Sequence, residues 1–146
     1  MNVVSLTAIE GNDPELIDAL VEAHLPTEDL LDADRQFFRA AEPGGQIVGF
    51  AGVERCGGAC LLRSVVVLAA HRGSGFGRAL VESTLDTLDQ DDDVFLATTS
   101  AASFFKGLGF VEVSRDMVPA PVLATRQLSS ICPSSATIMR LDRPPI

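Results

Sequence analysis

Tryptophan and tyrosine are absent from the 146 residues, and Lys106 is the one lysine. No phenol is therefore available as an acid or hydrogen-bond donor anywhere in the chain. Basic charge rests on arginine, and 11 Lys+Arg stand against 20 Asp+Glu, a formal net charge of -9. Such a surface repels phosphate backbones unless a basic patch gathers somewhere, and the arginines are scattered, so no nucleic-acid partner is expected. Long apolar runs are missing too. No stretch approaches the roughly 18 residues of a spanning helix, and Glu10 interrupts the apolar start, which lacks a basic leader. The chain reads as soluble and cytoplasmic, with no membrane partner. Cysteine is scarce: Cys56, Cys60 and Cys132 make an odd count that argues for reduced thiols. Zinc needs four ligands, and only His24 and His71 are there to join three thiols, so no metal is expected. Cys56 and Cys60 flank Gly57-Gly58-Ala59 and could face one another across a turn.

What is present suits one folded domain over 1–146, since 47% of residues are hydrophobic. Val3 to Ile9 reads as a strand. Asp13-Pro14 supplies an N-cap and a first-turn proline, and Leu16, Ile17, Leu20, Val21 and His24 share one face of a helix from Pro14 to about Leu25. His24 there reads as a surface residue. Acidic residues 26–34 suggest a short helix or a mobile flap. Strands follow at Arg35 to Ala41, Gln46 to Glu54 and Cys60 to Leu68, the last two closed around Gly57-Gly58 as a hairpin. The second arm is apolar on both faces except at Arg63 and Ser64, which marks a covered central strand. A helix from Gly77 to about Leu88, a strand from Val94 to Thr98, a short helix from Ala101 to Leu108 and a strand from Phe110 to Arg115 continue the pattern. Pro119 to Leu128 suggests one short helix and Ala136 to Leu141 a last strand.

Between the apolar strand and the helix lies Arg72-Gly73-Ser74-Gly75-Phe76-Gly77. A helix N-terminus presents unpartnered amides at its positive dipole end, and glycines clear side chains from them, so this turn is built for an anion. Arg72 and Arg78 can add charge. A P-loop is excluded, because no lysine follows the glycines. The dinucleotide fingerprint fails as well, its sixth position falling on Arg78 or Leu80 rather than glycine.

The spacing Arg-x-x-Gly-x-Gly at 72–77 resembles the coenzyme A loop of the GNAT superfamily (GCN5-related N-acetyltransferases). Leu62-Arg63-Ser64-Val65-Val66-Val67 is similar to the preceding family strand, and Phe104-Phe105-Lys106-Gly107-Leu108-Gly109-Phe110 to its helix-to-strand segment. The resemblance covers about residues 3–115. It implies an α/β (α+β) fold with a mixed, mostly antiparallel central sheet and helices on both faces. It also implies acetyl-CoA as co-substrate, with the pyrophosphate on Arg72, Gly73, Ser74, Gly75, Phe76, Gly77 and Arg78. The pantetheine arm would run beside Val65, Val66 and Val67, and a backbone amide, assigned to Val67, would hold the thioester oxyanion. Family members commonly carry a tyrosine where this chain has Phe105; the thiolate, with a pKa near ~8.5, would leave unaided or take its proton from water or a serine. Candidate bases are Glu54, Glu42 and His71, with Glu54 carried forward.

Arg63 and Ser64, polar in an apolar strand, suit either substrate contact or structural hydrogen bonds. In the segment 117–140, taken as the variable substrate side, Thr125, Arg126 and Gln127 offer donors, with Arg126 able to grip a carboxylate. This tail resembles that of GNAT proteins associated with arsenic-resistance operons, which implies N-acetylation of an amino-acid-like arsenical. The expected activity is transfer of acetyl to the primary amine of a small molecule. Two alternatives stand: a non-catalytic CoA-binding sensor, and a protein or peptide N-acetyltransferase. The resemblance leaves room for a homodimer, although no exposed stripe argues for one.

Overall fold

The computed structural model describes residues 3–126, 128 and 135–142. Its strands are β1 (Ser5–Ile9), β2 (Arg35–Ala41), β3 (Ile47–Cys56), β4 (Ala59–Val67), β5 (Asp93–Thr98), β6 (Phe110–Glu112) and β7 (Thr137–Leu141). They form one sheet in the order β1-β2-β3-β4-β5-β7-β6. Every neighbouring pair is antiparallel except β4 and β5. A parallel pair needs a crossover, and α2 (Phe76–Leu85) supplies it. The sheet is thus mixed and mostly antiparallel, as the motif resemblance implies.

Strand alternation sends neighbours to opposite faces, so each face needs its own cover. On β2, Phe37 packs with Leu16, Ala19 and Leu20 of α1 (Pro14–Glu22), whereas Phe38 packs with Val81 of α2 and Phe105 of α3 (Ala102–Lys106). On β4, Leu61 meets Val122 of α4 (Ala120–Leu123) and Leu62 meets the α2 side. Helices therefore cover both faces. Each fully buried leucine of α1 stabilises the packing by about 1.5–3 kcal/mol.

Local chemistry sets the element ends. The Asp13 carboxylate accepts from the amides of Glu15 (3.0 Å) and Leu16 (3.1 Å), and Pro14 follows it. α1 stops at Glu22 rather than at Leu25, because His24 adopts a left-handed φ of 59° and Leu25 N–H donates back to the Leu20 carbonyl. β6 ends at Glu112, where a strand to Arg115 was expected; Arg115–Met117 is a 3-10 turn. Of the helix expected from Pro119 to Leu128, α4 keeps four residues, and the Thr125 hydroxyl donates to the Val122 carbonyl at its end (2.8 Å).

Two further expectations are corrected. The acidic segment 26–34 forms turns and no short helix, and it is anchored, with Asp29 and Leu30 buried and Asp29 held by two arginines. Cys56 and Cys60 do not face one another: the register pairs Cys56 with Ala59 and Arg55 with Cys60, which puts the two thiols in separate core clusters. Burial, with the Glu54 charge next, pushes the Cys56 thiol up to about 12. It is an apolar filler. Cys132 lies outside the described residues, and no group of three or more metal-ligating side chains occurs among those described.

Candidate active site

The parallel pairing of β4 with β5 lasts for three residues only, Ala59 with Asp93, Cys60 with Val94 and Leu61 with Phe95. Beyond Leu61 the strands part, β5 continuing against β7 alone. On its other side β4 stays paired with β3, but the register slips between Phe50 and Gly52, so Ser64 and Val65 oppose Ala51 alone. This is a β-bulge, and Ser64 carries the strain with φ 56°. Bulge and splay together open a cleft of about 420 Å³. Its size is that of a small-molecule site. Leu62 to Val67 form one wall, Leu96 to Ala101 with Phe105 another, and Ala23 to Pro26 a third; Arg72 stands at one end.

Backbone polarity at the splay follows from two contacts. Leu68 N–H donates to the Val48 carbonyl of β3 (2.8 Å), whereas the Val67 carbonyl accepts from Arg72 Nε (2.8 Å). Strand groups alternate in direction, so the amides of Val66 and Leu68 face β3 and that of Val67 faces the cleft. β5 has already departed there.

Next to this wall the chain turns into α2. Gly73 and Gly75 adopt left-handed φ values of 80° and 83°, and Gly75 is the N-cap, with no side chain capping the helix. Ala79 N–H is the first to bond back, to the Gly75 carbonyl at 3.3 Å. The amides of Phe76, Gly77 and Arg78 are left without intrahelical acceptors, an anion seat at the positive end of a ten-residue helix. Gly77 has a second reason to lack a side chain: a Cβ there would lie 3.1 Å from Phe104 Cζ. Ser74 is exposed in the turn. Arg78 is exposed and pairs with Glu82 one helical turn on (3.3 Å). Phe105, at the position where a tyrosine would bring a hydroxyl, lines the cleft with its ring edge-on to Phe104 and Phe110.

Beneath the bulge, on the α1 side of the sheet, lies a buried ionic cluster. Arg63 grips Asp29 bidentately, Nη1 to Oδ2 and Nη2 to Oδ1, both at 2.6 Å. Its Nη1 also donates to Glu54 (3.1 Å) and its Nε approaches the Ser64 hydroxyl (3.4 Å). Arg35 adds a bond to Asp29 (2.9 Å) and lies 3.4 Å from Glu54. Two guanidiniums face two carboxylates, so the cluster is neutral inside. Burial alone would raise the Asp29 carboxyl, but hydrogen bonds from Arg63 and Arg35 outweigh it and hold the group at about 2.

These placements sort the residues singled out from sequence. Val65, Val66, Val67, Arg72, Phe105, Arg63 and Ser64 meet at the cleft. Arg63, however, has each of its three nitrogens occupied, so it keeps no free fork for a substrate carboxylate. Glu54 does not line the cleft; its Oε1 is enclosed by Arg63 and Arg35. Thr125 is buried with its hydroxyl bonded to backbone, and Arg126 is exposed and paired with Asp32 (2.8 Å), so neither reaches the cleft. Gln127 lies outside the described residues. Sequence reasoning missed His24 and the run Thr98 to Ser100 on the cleft walls, and it missed Asp29 entirely. The polar Arg63 in an apolar strand did call for an acid, but nothing local says which.

Comparison with known proteins supplies a frame for this geometry. The Acetyltransferase (GNAT) domain family matches residues 33–112. An uncharacterized N-acetyltransferase, CT2212 of Chlorobaculum tepidum, is 30% identical over 98 residues, 65% of this chain and 62% of that protein. The chain thus matches less than two thirds of that relative's length. N-acetylglutamate synthase from Neisseria gonorrhoeae, complexed with coenzyme A and N-acetyl-glutamate, superposes at TM-score 0.74 and 19% identity, over 96% of this chain and 35% of the synthase. Rv2747 from Mycobacterium tuberculosis, in complex with CoA and NLQ, gives TM-score 0.74 and 20% identity over 96% of this chain and 99% of its own. At such identities the structures speak for the fold.

Proposed function

The chain belongs to the GNAT acetyltransferase family, and from that premise we propose that it transfers acetyl from acetyl-CoA to the primary amine of a small amino-acid-like molecule. One observation carries this reading: β4 and β5 part after Leu61 and Phe95, leaving the Val67 amide aimed into a cleft with Arg72 at its end, the residue that opens the glycine turn into the uncapped α2. The pyrophosphate would sit on the amides of 73–78 with Arg72 beside it, and the pantetheine would follow Val65 to Val67. Amine attack on the thioester carbon then places the oxyanion at the Val67 N–H, and the C–S bond breaks to release CoA thiolate. The ammonium proton goes to His24, whose exposed imidazole lines the opposite wall; Glu54, enclosed by guanidiniums, is positioned for no such contact.

The acceptor class is supported by the gonococcal neighbour, whose complex holds N-acetyl-glutamate. The relatives found support the family as a whole and not its arsenic-associated branch, and most of the tail that suggested an arsenical lies outside the described residues. A thermal-shift and calorimetric titration with acetyl-CoA, followed by steady-state release of free CoA across a panel of amino acids and their analogues, tests the proposal. Absence of any acetyl-CoA affinity would falsify it. Phe105 in place of a hydroxyl favours a second reading, a CoA-binding sensor, which predicts tight binding with no accepted amine.

A further inference from the structure

The buried cluster joins two walls of the cleft that are far apart in sequence. Asp29 sits in the segment leading from α1 to β2, the same segment whose residues Ala23 to Pro26 line the cleft. Arg63 is the last residue of β4 paired to β3 before the bulge at Ser64. The 2.6 Å bidentate contact therefore fixes the His24-bearing wall to the strand that turns its backbone toward the thioester. From outside, Arg126 holds Asp32 of the same segment. Packing leaves the segment no slack either, since a Cβ on Gly11 would overlap the Leu30 carbonyl.

We propose that the Asp29–Arg63 pair, with Glu54 and Arg35 as supporting partners, is a positioning device that sets the distance between acceptor amine and acyl group. Arg63 then serves as an anchor and not as a substrate clamp, and Glu54 acts through Arg63. The device ties the acceptor-side wall to β4 and reaches the phosphate seat only through that strand. No residue of the glycine turn or of the first turn of α2, where the cofactor's phosphates would lie, is a member of the cluster's ion pairs. This inference rests on the acetyltransferase reading above for its kinetic consequence, although the anchoring itself does not.

Two variants test it. Asp29→Glu keeps the charge but lengthens the arm by one methylene, and Asp29→Asn keeps the shape but removes the charge. Both are expected to raise KM for the amine at least tenfold while the Kd for acetyl-CoA stays within twofold. A role in stability alone would lower Tm without that split. If Asp29→Asn fails to fold, Asp29→Glu decides the matter. Folded variants with an unchanged amine KM overturn the proposal. Should the wild-type protein turn over no amine, the acetyltransferase reading fails, and hydrogen exchange across residues 24–31 takes over as the readout. Faster exchange there in Asp29→Asn, with residues 73–80 unaffected, supports the anchor; equal exchange in both proteins overturns it.

Discussion

Glu54 and His24 present opposite surroundings to the same task. A general base must reach the proton it removes, directly or through one water, and only His24 has an open path to the cleft. Glu54 is buried against Arg63 and Arg35, and its nearer oxygen is committed to both. Replacing His24 by Gln is expected to lower kcat by about 10²-fold, the low end for losing a positioned base. Steady-state kinetics at saturating acetyl-CoA read the loss. Glu54→Gln keeps a hydrogen-bond acceptor for Arg63, so kcat should fall less than about tenfold. A larger kcat loss in Glu54→Gln than in His24→Gln would return the role of base to Glu54. At this scale the sequence was least legible. Arg63 stood out as a charge in an apolar strand, but its partner lies 34 residues away in an acidic stretch that offered several equivalent carboxylates. His24 looked like one more residue on a helical face until the chain turned left-handed there and brought it to the cleft.

The elements themselves were legible because their signals are local. Asp13-Pro14 announced α1, two strand-like runs closed around Gly57-Gly58 announced the β3–β4 hairpin, and Gly73 and Gly75 announced a turn that only glycine enters without strain. The bulge at Ser64 was not, since it depends on what lies across the sheet. The glycine turn makes a sharp prediction. A valine at 75 would have to adopt φ near 83°, costing about 1–2 kcal/mol, and would crowd the open amides of α2. Gly75→Val should weaken acetyl-CoA binding at least tenfold by calorimetry. Gly77→Ala is the milder case: its Cβ meets the tip of the Phe104 ring, and Phe104 is partly exposed and able to swing away. We expect less than a threefold change in Kd there, and a larger loss for Gly77 than for Gly75 would mean that the phosphates sit elsewhere.

Taken whole, the molecule carries a strongly acidic exterior over an interior whose charges balance. Of the 20 carboxylic side chains, Asp29 is one of two held inside, bound to guanidiniums rather than to water. Its pKa falls from 3.8 to about 2 on folding, the donors of Arg63 and Arg35 outweighing burial. A depressed folded value means that the ionised form favours the native state. Its contribution, about 2 kcal/mol at neutral pH, is complete above pH 4 and is lost as pH drops from 4 through 2. Other carboxyls protonate over the same range and blur the wild-type curve. The difference between wild type and Asp29→Asn isolates the one group, because asparagine cannot titrate while a protonated Asp29 resembles it. Urea midpoints should therefore differ by a constant amount from pH 7 to 4 and converge toward pH 2. A gap that persists undiminished at pH 2 would mean that the pair is held by shape rather than by charge, and that the arginines keep their places without the carboxylate's help.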